Sequence, residues 1–137
     1  MKILVIDAQG GGMGRQLVAM IRERIQSARV TAVGTNSVAT AAMLKAGADE
    51  AATGENAVVV CSRDADVIVG PVGIAIADSM LGEITPAMAL AVAQSRARRV
   101  LIPFNHCGTR IAGVSGIKPA ALLQSAIDEI SALQCGN

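Results

Sequence analysis

Two hydrophobic patterns alternate along the whole chain. Short continuous apolar runs, at residues 3–6 and 67–69, are typical of strands buried on both faces of a parallel sheet. Longer stretches place apolar residues three and four apart, as Leu17, Ile21 and Ile25 are placed, which is typical of helices with one buried face. The alternation therefore predicts an α/β domain.

The same patterns give approximate boundaries for the elements. Strands are predicted at residues 2–7, 29–34, 49–52, 65–70 and 99–102, with a sixth, edge strand at residues 110–114. Helices are predicted at residues 13–26, 37–46, 86–97 and 119–133, with shorter ones ending at residue 62 and covering residues 74–81. Strands that alternate with helices imply right-handed crossovers. The prediction is one Rossmann-like domain over residues 1–137: a doubly wound, mainly parallel sheet of five or six strands with helices on both faces. If the strand order is 3-2-1-4-5, strands one and four flank the crevice in which such a sheet binds its ligand.

Composition narrows the classes of function. Apolar residues make up 52% of the chain, and it contains one Phe but no Trp or Tyr, so the core must be aliphatic. The net charge of +1 and the lack of aromatic residues argue against nucleic-acid binding, which needs a basic patch or a stacking platform. The small basic cluster of Arg96, Arg98 and Arg99 is interpreted as a solvated helix end near the negative pole of the helix dipole.

Targeting and cysteine signals are absent from the sequence. It has neither a signal-peptide pattern nor an apolar run long enough for a membrane span. Its three cysteines, Cys61, Cys107 and Cys135, include no C-x-x-C pair, which argues against a disulfide framework and a zinc site. We expect a cytoplasmic protein with no membrane association and no bound metal.

The strongest candidate for a binding site is the segment between the first strand and the first helix. This glycine loop, residues 9–14, consists of Gln9, Gly10, Gly11, Gly12, Met13 and Gly14. Glycines let the backbone approach an anion, and a helix N-terminus offers unpaired N–H groups with partial positive charge. The loop is therefore expected to hold a phosphate, the alternative being a tight turn without a ligand.

Two known motifs compete for this loop. A nucleotide triphosphatase loop ends in Gly-Lys-Ser/Thr, whereas this helix begins Gly14-Arg15-Gln16, which excludes that chemistry. The dinucleotide fingerprint fits better, as Gln9-x-Gly11-x-x-Gly14, with Gln in place of the first glycine. In that fingerprint Gly11 meets the phosphate, and Gly14 packs the helix against the first strand. A Gly11 side chain is then expected to cost binding but little stability, unless Gly11 has positive φ.

The second strand ends in small polar residues rather than in an acid. Thr35, Asn36 and Ser37 stand where an Asp or Glu would bind the ribose hydroxyls of NAD. Hydrogen-bond donors there suit a phosphate, which favours NADP or another phosphorylated nucleotide. The alternative is that Asn36 or Ser37 caps the second helix, and both roles are compatible.

Further candidates follow the fourth and fifth strands. Gly70, Pro71 and Gly73 are expected to face the glycine loop, and Asn105 follows the fifth strand at the same edge of the sheet. Asp78 and Glu83 are candidates for acid–base or ribose-binding roles, although such residues more often cap helices. His106 and Cys107 are neighbours in sequence, and adjacent side chains on a strand end usually diverge, so they are not expected to act as a nucleophile pair.

Several of these segments together resemble one family. Asp7-Ala8-Gln9-Gly10-Gly11-Gly12 and the segments at residues 34–37, 46–49, 53–56, 70–73 and 82–86 look like a family of small bacterial proteins known only as a domain of unknown function. The resemblance covers nearly the whole chain and implies a Rossmann-like fold, but it supplies no substrate or catalytic residue. Ala8 stands where that family's loop usually has Gly.

These observations leave three classes of function. The favoured one is a protein binding a nucleotide or dinucleotide phosphate, NADP above others, with an oxidoreductase-like activity as one form of it. The alternatives are a non-enzymatic sensor of a phosphorylated metabolite and a scaffold without a ligand. A homo-oligomer is also expected, because apolar residues such as Ile74, Ile76 and Met80 exceed what one short chain is expected to bury.

Overall fold

Five parallel strands form the central sheet of the computed structural model, which describes residues 1–104 and 108–136. The order is β3-β2-β1-β4-β5, the condition under which the first and fourth strands flank the crevice, and every neighbouring pair is parallel. The strands are β1 (Lys2–Asp7), β2 (Arg29–Gly34), β3 (Glu50–Thr53), β4 (Val67–Pro71) and β5 (Arg98–Ile102). The Rossmann-like α/β prediction is therefore confirmed.

The helices lie between the strands, as the apolar spacing predicted. They are α1 (Gly12–Arg24), α2 (Ser37–Lys45), α3 (Glu55–Ser62), α4 (Pro86–Gln94) and α5 (Pro119–Gly136). Thr85 caps α4 by accepting a hydrogen bond from the N–H of Met88 at 3.2 Å, and Pro86 is the first helical residue. Gly54 precedes α3 without a side-chain cap.

Two aliphatic cores cover the two faces of the sheet. Ile3 and Val5 of β1 lie in one core, while Leu4 and Ile6 lie in the other, because side chains alternate along a strand. The first core takes apolar residues from α1, α2 and α5, and the second takes them from α3 and α4. Both faces of β1 are therefore buried, which explains its continuous apolar run.

Two predicted elements are wrong. Residues 110–114 form no strand; they include a turn with Gly113 at φ 87°, which interrupts the extended backbone that a strand needs. The helix predicted at residues 74–81 is replaced by a 3₁₀ turn, Val72–Ala75, followed by further turns. Asp78, Met80 and Leu81 have φ of 65°, 55° and 58°, and a right-handed helix cannot include such residues.

Solvent exposure and hydrogen bonds bear on the expectations for the apolar residues at 72–81, the arginine cluster and the cysteines. Ile74 and Met80 are 0% and 4% exposed and so are buried within this chain, whereas Leu81 in the same segment is 90% exposed. Arg99 donates a hydrogen bond to the carbonyl of Ser95 at 2.9 Å, just beyond α4, which confirms its place at a helix end. Cys61 and Cys135 are free thiols.

Residues 1–104 and 108–136 contain neither a helix suited to span a membrane nor a cluster suited to bind a metal ion. None of the helices described there is both long enough and apolar enough to cross a membrane. Nor do three or more His, Cys, Asp or Glu side chains in that part of the chain gather in a way that suits a metal ion.

Candidate functional site

The crevice at the carboxyl ends of β1 and β4 contains a pocket of about 350 Å³. β1 lies at the centre of the sheet, with β2 on one side and β4 on the other, so the chain turns in opposite directions on leaving these strands. Ligands of open α/β sheets bind at such a point. The lining includes most of the glycine loop; the full set is Asp7, Ala8, Gln9, Gly10, Gly11, Gly12, Met13, Pro71, Met80 and Phe104.

Helix α1 begins in the glycine loop, and two of its N–H groups have no acceptor in the part of the chain that the structure describes. The first four N–H groups near a helix start have no acceptor within the helix. Here the N–H of Gly11 donates to the carbonyl of Ala8 at 3.0 Å, and that of Gly14 donates to Asp7 at 2.6 Å. Among the described residues, the N–H groups of Gly12 and Met13 have no such partner.

The four glycines of the loop fall into two classes. Gly10 and Gly12 are exposed, and a Cβ on either would meet open space. Gly14 is buried, and a Cβ there would lie 2.8 Å from the Cβ of Asp7, so its predicted packing against the first strand is confirmed. Gly11 is also buried, has φ 72°, and would place a Cβ 2.7 Å from the Cα of Ala39 on α2. Gly11 is therefore the excepted case with positive φ, in which a side chain is expected to cost stability as well as binding.

Asp7 at the end of β1 is a site residue that the sequence did not single out. Its side chain is buried, with Oδ2 accepting from the N–H of Gly14 at 2.6 Å and Oδ1 from that of Ala8 at 2.8 Å. The carboxyl thus holds the glycine loop against the first turn of α1. A polar residue ending an otherwise apolar strand was the available signal.

The end of β2 brings together two of the three polar residues predicted there. Asn36 caps α2, its Oδ1 accepting from the N–H of Ala39 at 2.9 Å, which confirms the capping role. Its Nδ2 donates to the carbonyl of Gln9 at 2.9 Å, so this end of β2 is joined to the glycine loop. Ser37 is the first residue of α2 and is exposed.

Glu83 lies in the segment that precedes α4, and its side chain contacts both the end of β2 and the glycine loop. Its Oε1 accepts three hydrogen bonds: from Oγ1 of Thr35 at 2.7 Å, from Nδ2 of Asn36 at 2.8 Å and from the N–H of Gln9 at 2.9 Å. The segment that ends β2 contains no Asp or Glu, and Glu83 places a carboxylate there instead. Thr35 and Asn36, which the sequence assigned to a phosphate, donate to this carboxylate.

The two carboxyl groups have pKa values shifted in opposite directions. Burial raises the pKa of Asp7 above its usual value, against hydrogen bonds from Gly14 and Ala8 that lower it. Burial also raises the pKa of Glu83, but the hydrogen bonds from Thr35, Gln9 and Asn36 together outweigh burial and leave that pKa below its usual value. Glu83 is therefore ionised at neutral pH.

The end of β4 forms the other wall of the crevice. Pro71 lines the pocket opposite the glycine loop, as predicted. Gly70 lies against β1, where a Cβ would clash with the carbonyl of Ile6. Gly73 does not line this pocket; its carbonyl accepts a hydrogen bond from Oγ of Ser79 at 2.5 Å. Asn105 lies outside the described residues, as do His106 and Cys107.

The site as a whole offers open N–H groups beside a pocket and a second set of donors held by an internal carboxylate. Unpaired backbone N–H groups at a helix start suit the oxygens of a phosphate. Tight packing of Gly11 against α2 keeps the loop close to the sheet.

Comparison with solved structures gives the class of fold. The crystal structure of AibC is similar, with a TM-score of 0.50 and 21% sequence identity over 93% of this chain and 40% of that one. A nucleoside-diphosphate-sugar epimerase from Pseudomonas aeruginosa has a TM-score of 0.49 and 16% identity, with 98% of this chain and 48% of that one covered. The chain therefore spans less than half the length of either structure.

The sequence itself assigns the family. The chain belongs to the family described as domain of unknown function DUF3842, which it matches over residues 2–134. The resemblance found in the sequence, to a family of unknown function, is thereby confirmed. No curated protein matches the sequence.

Proposed function

We propose that this domain binds a phosphate-bearing small molecule, of the nucleotide or dinucleotide class, in the crevice between β1 and β4. The observation that carries the proposal is the pair of N–H groups of Gly12 and Met13, which have no acceptor among residues 1–104 and 108–136 and belong to residues that line the pocket. A phosphate at this position would accept from both N–H groups and lie at the positive end of the α1 dipole.

NADP is the ligand to test first. Thr35 and Asn36 offer a hydroxyl and an amide that suit the additional phosphate of NADP, although both now donate to Glu83. An NAD-type ligand would place ribose hydroxyls there instead, and these would hydrogen-bond to the Glu83 carboxylate. A sensor that binds a phosphorylated metabolite without turnover remains the alternative function.

An enzymatic form of the proposal depends on Asp7. This carboxyl lines the pocket, and burial raises its pKa above the usual value, which is the direction expected of a carboxyl that acts as a general acid or base. Turnover of a reduced nicotinamide would favour an enzyme, while binding without turnover would favour the sensor.

Isothermal titration calorimetry with a panel of dinucleotides, nucleotides and sugar phosphates tests the proposal. Gly12→Val should abolish binding because the new side chain enters the open space beside the loop. Gly136→Val is the matched control, since Gly136 also faces open space but lies at the end of α5. Absence of binding across the panel, or equal binding by both variants, would contradict the proposal.

A homo-oligomer, most simply a dimer, belongs to the same proposal. The pocket lies at the carboxyl ends of β1 and β4. In this proposal a second copy covers its open side. Light scattering at about tens of micromolar, where typical specific interfaces are formed, should give the mass of a dimer. A monomer mass there would count against this part.

A further inference from the structure

The segment that carries Glu83 crosses the carboxyl end of the sheet. This bridging segment, residues 76–84, connects the 3₁₀ turn after β4 to α4, and Glu83 reaches donors beyond β1 and β2. Within this segment the side chains of Met80 and Ile84 are buried, while Leu81 is 90% exposed. Met80 also lines the pocket beside the glycine loop, so the segment is part of the wall of the proposed site.

The contact of Glu83 has the composition of an anion-binding site. A hydroxyl, a side-chain amide and a backbone N–H converge on one oxygen, Oε1, each within 2.9 Å. They come from two separate connections, after β1 and after β2, so that the fold itself brings the donors together. Three donors on a single oxygen also match what a phosphate oxygen accepts. The protein fills this site with its own anion.

The backbone that delivers Glu83 is unfavourable. Three non-glycine residues of the bridging segment, Asp78, Met80 and Leu81, have φ between 55° and 65°, and Gly82 follows with φ 84°. Left-handed backbone is rare for Met and Leu, because the Cβ crowds the following carbonyl oxygen. The closed arrangement therefore combines favourable contacts of Glu83 with backbone strain that opening would release.

We propose that Gln9, Thr35 and Asn36 form a second anion subsite beside the glycine loop, and that Glu83 is an internal competitor which a ligand with a second anionic group must displace. The inference rests on the proposed function in one respect, that the first anionic group lies at the glycine loop. The class of ligand follows: small molecules with two separate anionic groups compete with Glu83, whereas a ligand with one group leaves the bridging segment closed.

Amide NMR with inorganic phosphate as the probe tests the subsite directly. The side-chain amide of Asn36 reports on the subsite, and the backbone amides of Gly12 and Met13 report on the glycine loop. In Glu83→Ala the Asn36 signal should respond to phosphate with a midpoint about tenfold or more below that of the wild type, because an open state populated at a tenth or less weakens apparent affinity by that factor.

Two further variants make the test specific. Glu83→Gln keeps the length of the side chain without its charge, and should give a midpoint between those of the wild type and Glu83→Ala. Glu23→Gln removes one negative charge from the exposed face of α1, outside the bridging segment, and should titrate like the wild type. Thermal unfolding of each variant without phosphate checks that it is folded.

The outcomes separate this inference from the proposed function. Equal midpoints in the wild type and both Glu83 variants, or no response of Asn36 in any of them, would overturn the second subsite. If Asn36 behaves as expected while Gly12 and Met13 do not respond, the subsite stands and the glycine-loop proposal fails. If Gly12 and Met13 respond alike in every variant and Asn36 responds in none, only the glycine-loop proposal stands.

Discussion

At the scale of single residues, the glycine loop contains one residue type with two separate functions. Gly11 and Gly14 are buried and permit close packing, while Gly10 and Gly12 are exposed beside the pocket. The sequence predicted a loop of this kind and the packing of Gly14. It did not predict the packing of Gly11 against Ala39, because that contact depends on where α2 lies after the chain has folded.

Alanine substitutions of two neighbouring glycines, Gly11 and Gly12, should differ clearly in their cost to stability. Gly11→Ala forces a side chain into left-handed backbone and against Ala39, and should lower the free energy of unfolding by about 2 kcal/mol or more. Gly12→Ala adds a methyl group in open space at the first position of α1 and should change it by about 0.5 kcal/mol or less. Urea unfolding of both variants would test this; similar losses would contradict the packing described for Gly11.

Glu83 should make the stability of the protein depend on pH. Its pKa is lowered in the folded state, so its ionised form stabilises the fold above the ordinary value of 4.5, and that contribution is lost as the pH falls through the lower folded value. Glu83→Gln should therefore be less stable than the wild type by about 1 kcal/mol at neutral pH.

Unfolding curves at a series of pH values check this dependence. The difference between the wild type and Glu83→Gln should shrink as the pH falls below 4.5. Asp7, whose pKa is raised, is present in both proteins, so its titration largely cancels in the difference. A difference that stays constant across this range would show that the Glu83 charge does not contribute.

At the scale of elements, apolar spacing predicted the regular strands and helices correctly. It failed at residues 74–81, where the backbone is irregular. The strands and long helices were found because each buries a periodic set of aliphatic residues. Residues 74–81 have helical composition, but Asp78 and the two residues at 80 and 81 take left-handed backbone. The role of Glu83 was missed for a related reason: it contacts Gln9 across 74 positions in sequence, through a segment without periodicity.

Leu81 offers a test of the strain in the bridging segment. Its side chain is 90% exposed and its φ is 58°, so Leu81→Asn should raise the free energy of unfolding by about 0.5–1 kcal/mol, because Asn tolerates left-handed backbone. Leu90→Asn is the matched control: Leu90 is exposed on α4, where Asn is the poorer helix former. Urea unfolding should show a gain for the first variant and a loss for the second; two losses would contradict the strain.

At the scale of the whole molecule, the sheet joins the two cores into one unit. β1 contributes residues to both cores, and it ends at the glycine loop and Asp7. The parallel sheet was predictable because strands alternate with helices, and the order β3-β2-β1-β4-β5 places the crevice next to β1. The contents of the crevice were less predictable, since they depend on side chains that meet only across the edge of the folded sheet.

Ligand binding at this crevice should therefore stabilise the entire molecule. With both cores sharing β1, we expect a single unfolding transition, and a ligand bound only by the folded state raises the free energy of unfolding by about 1.4 kcal/mol per tenfold rise in concentration above its dissociation constant. At about 3–5 °C per kcal/mol for a domain of this size, the melting temperature should climb by several degrees per tenfold step without a plateau. Calorimetric scans with NADP, or with whichever ligand of the panel binds, measure this climb. Two separate transitions, with only one of them moved by the ligand, would mean that the crevice belongs to one core and that the sheet does not couple the two.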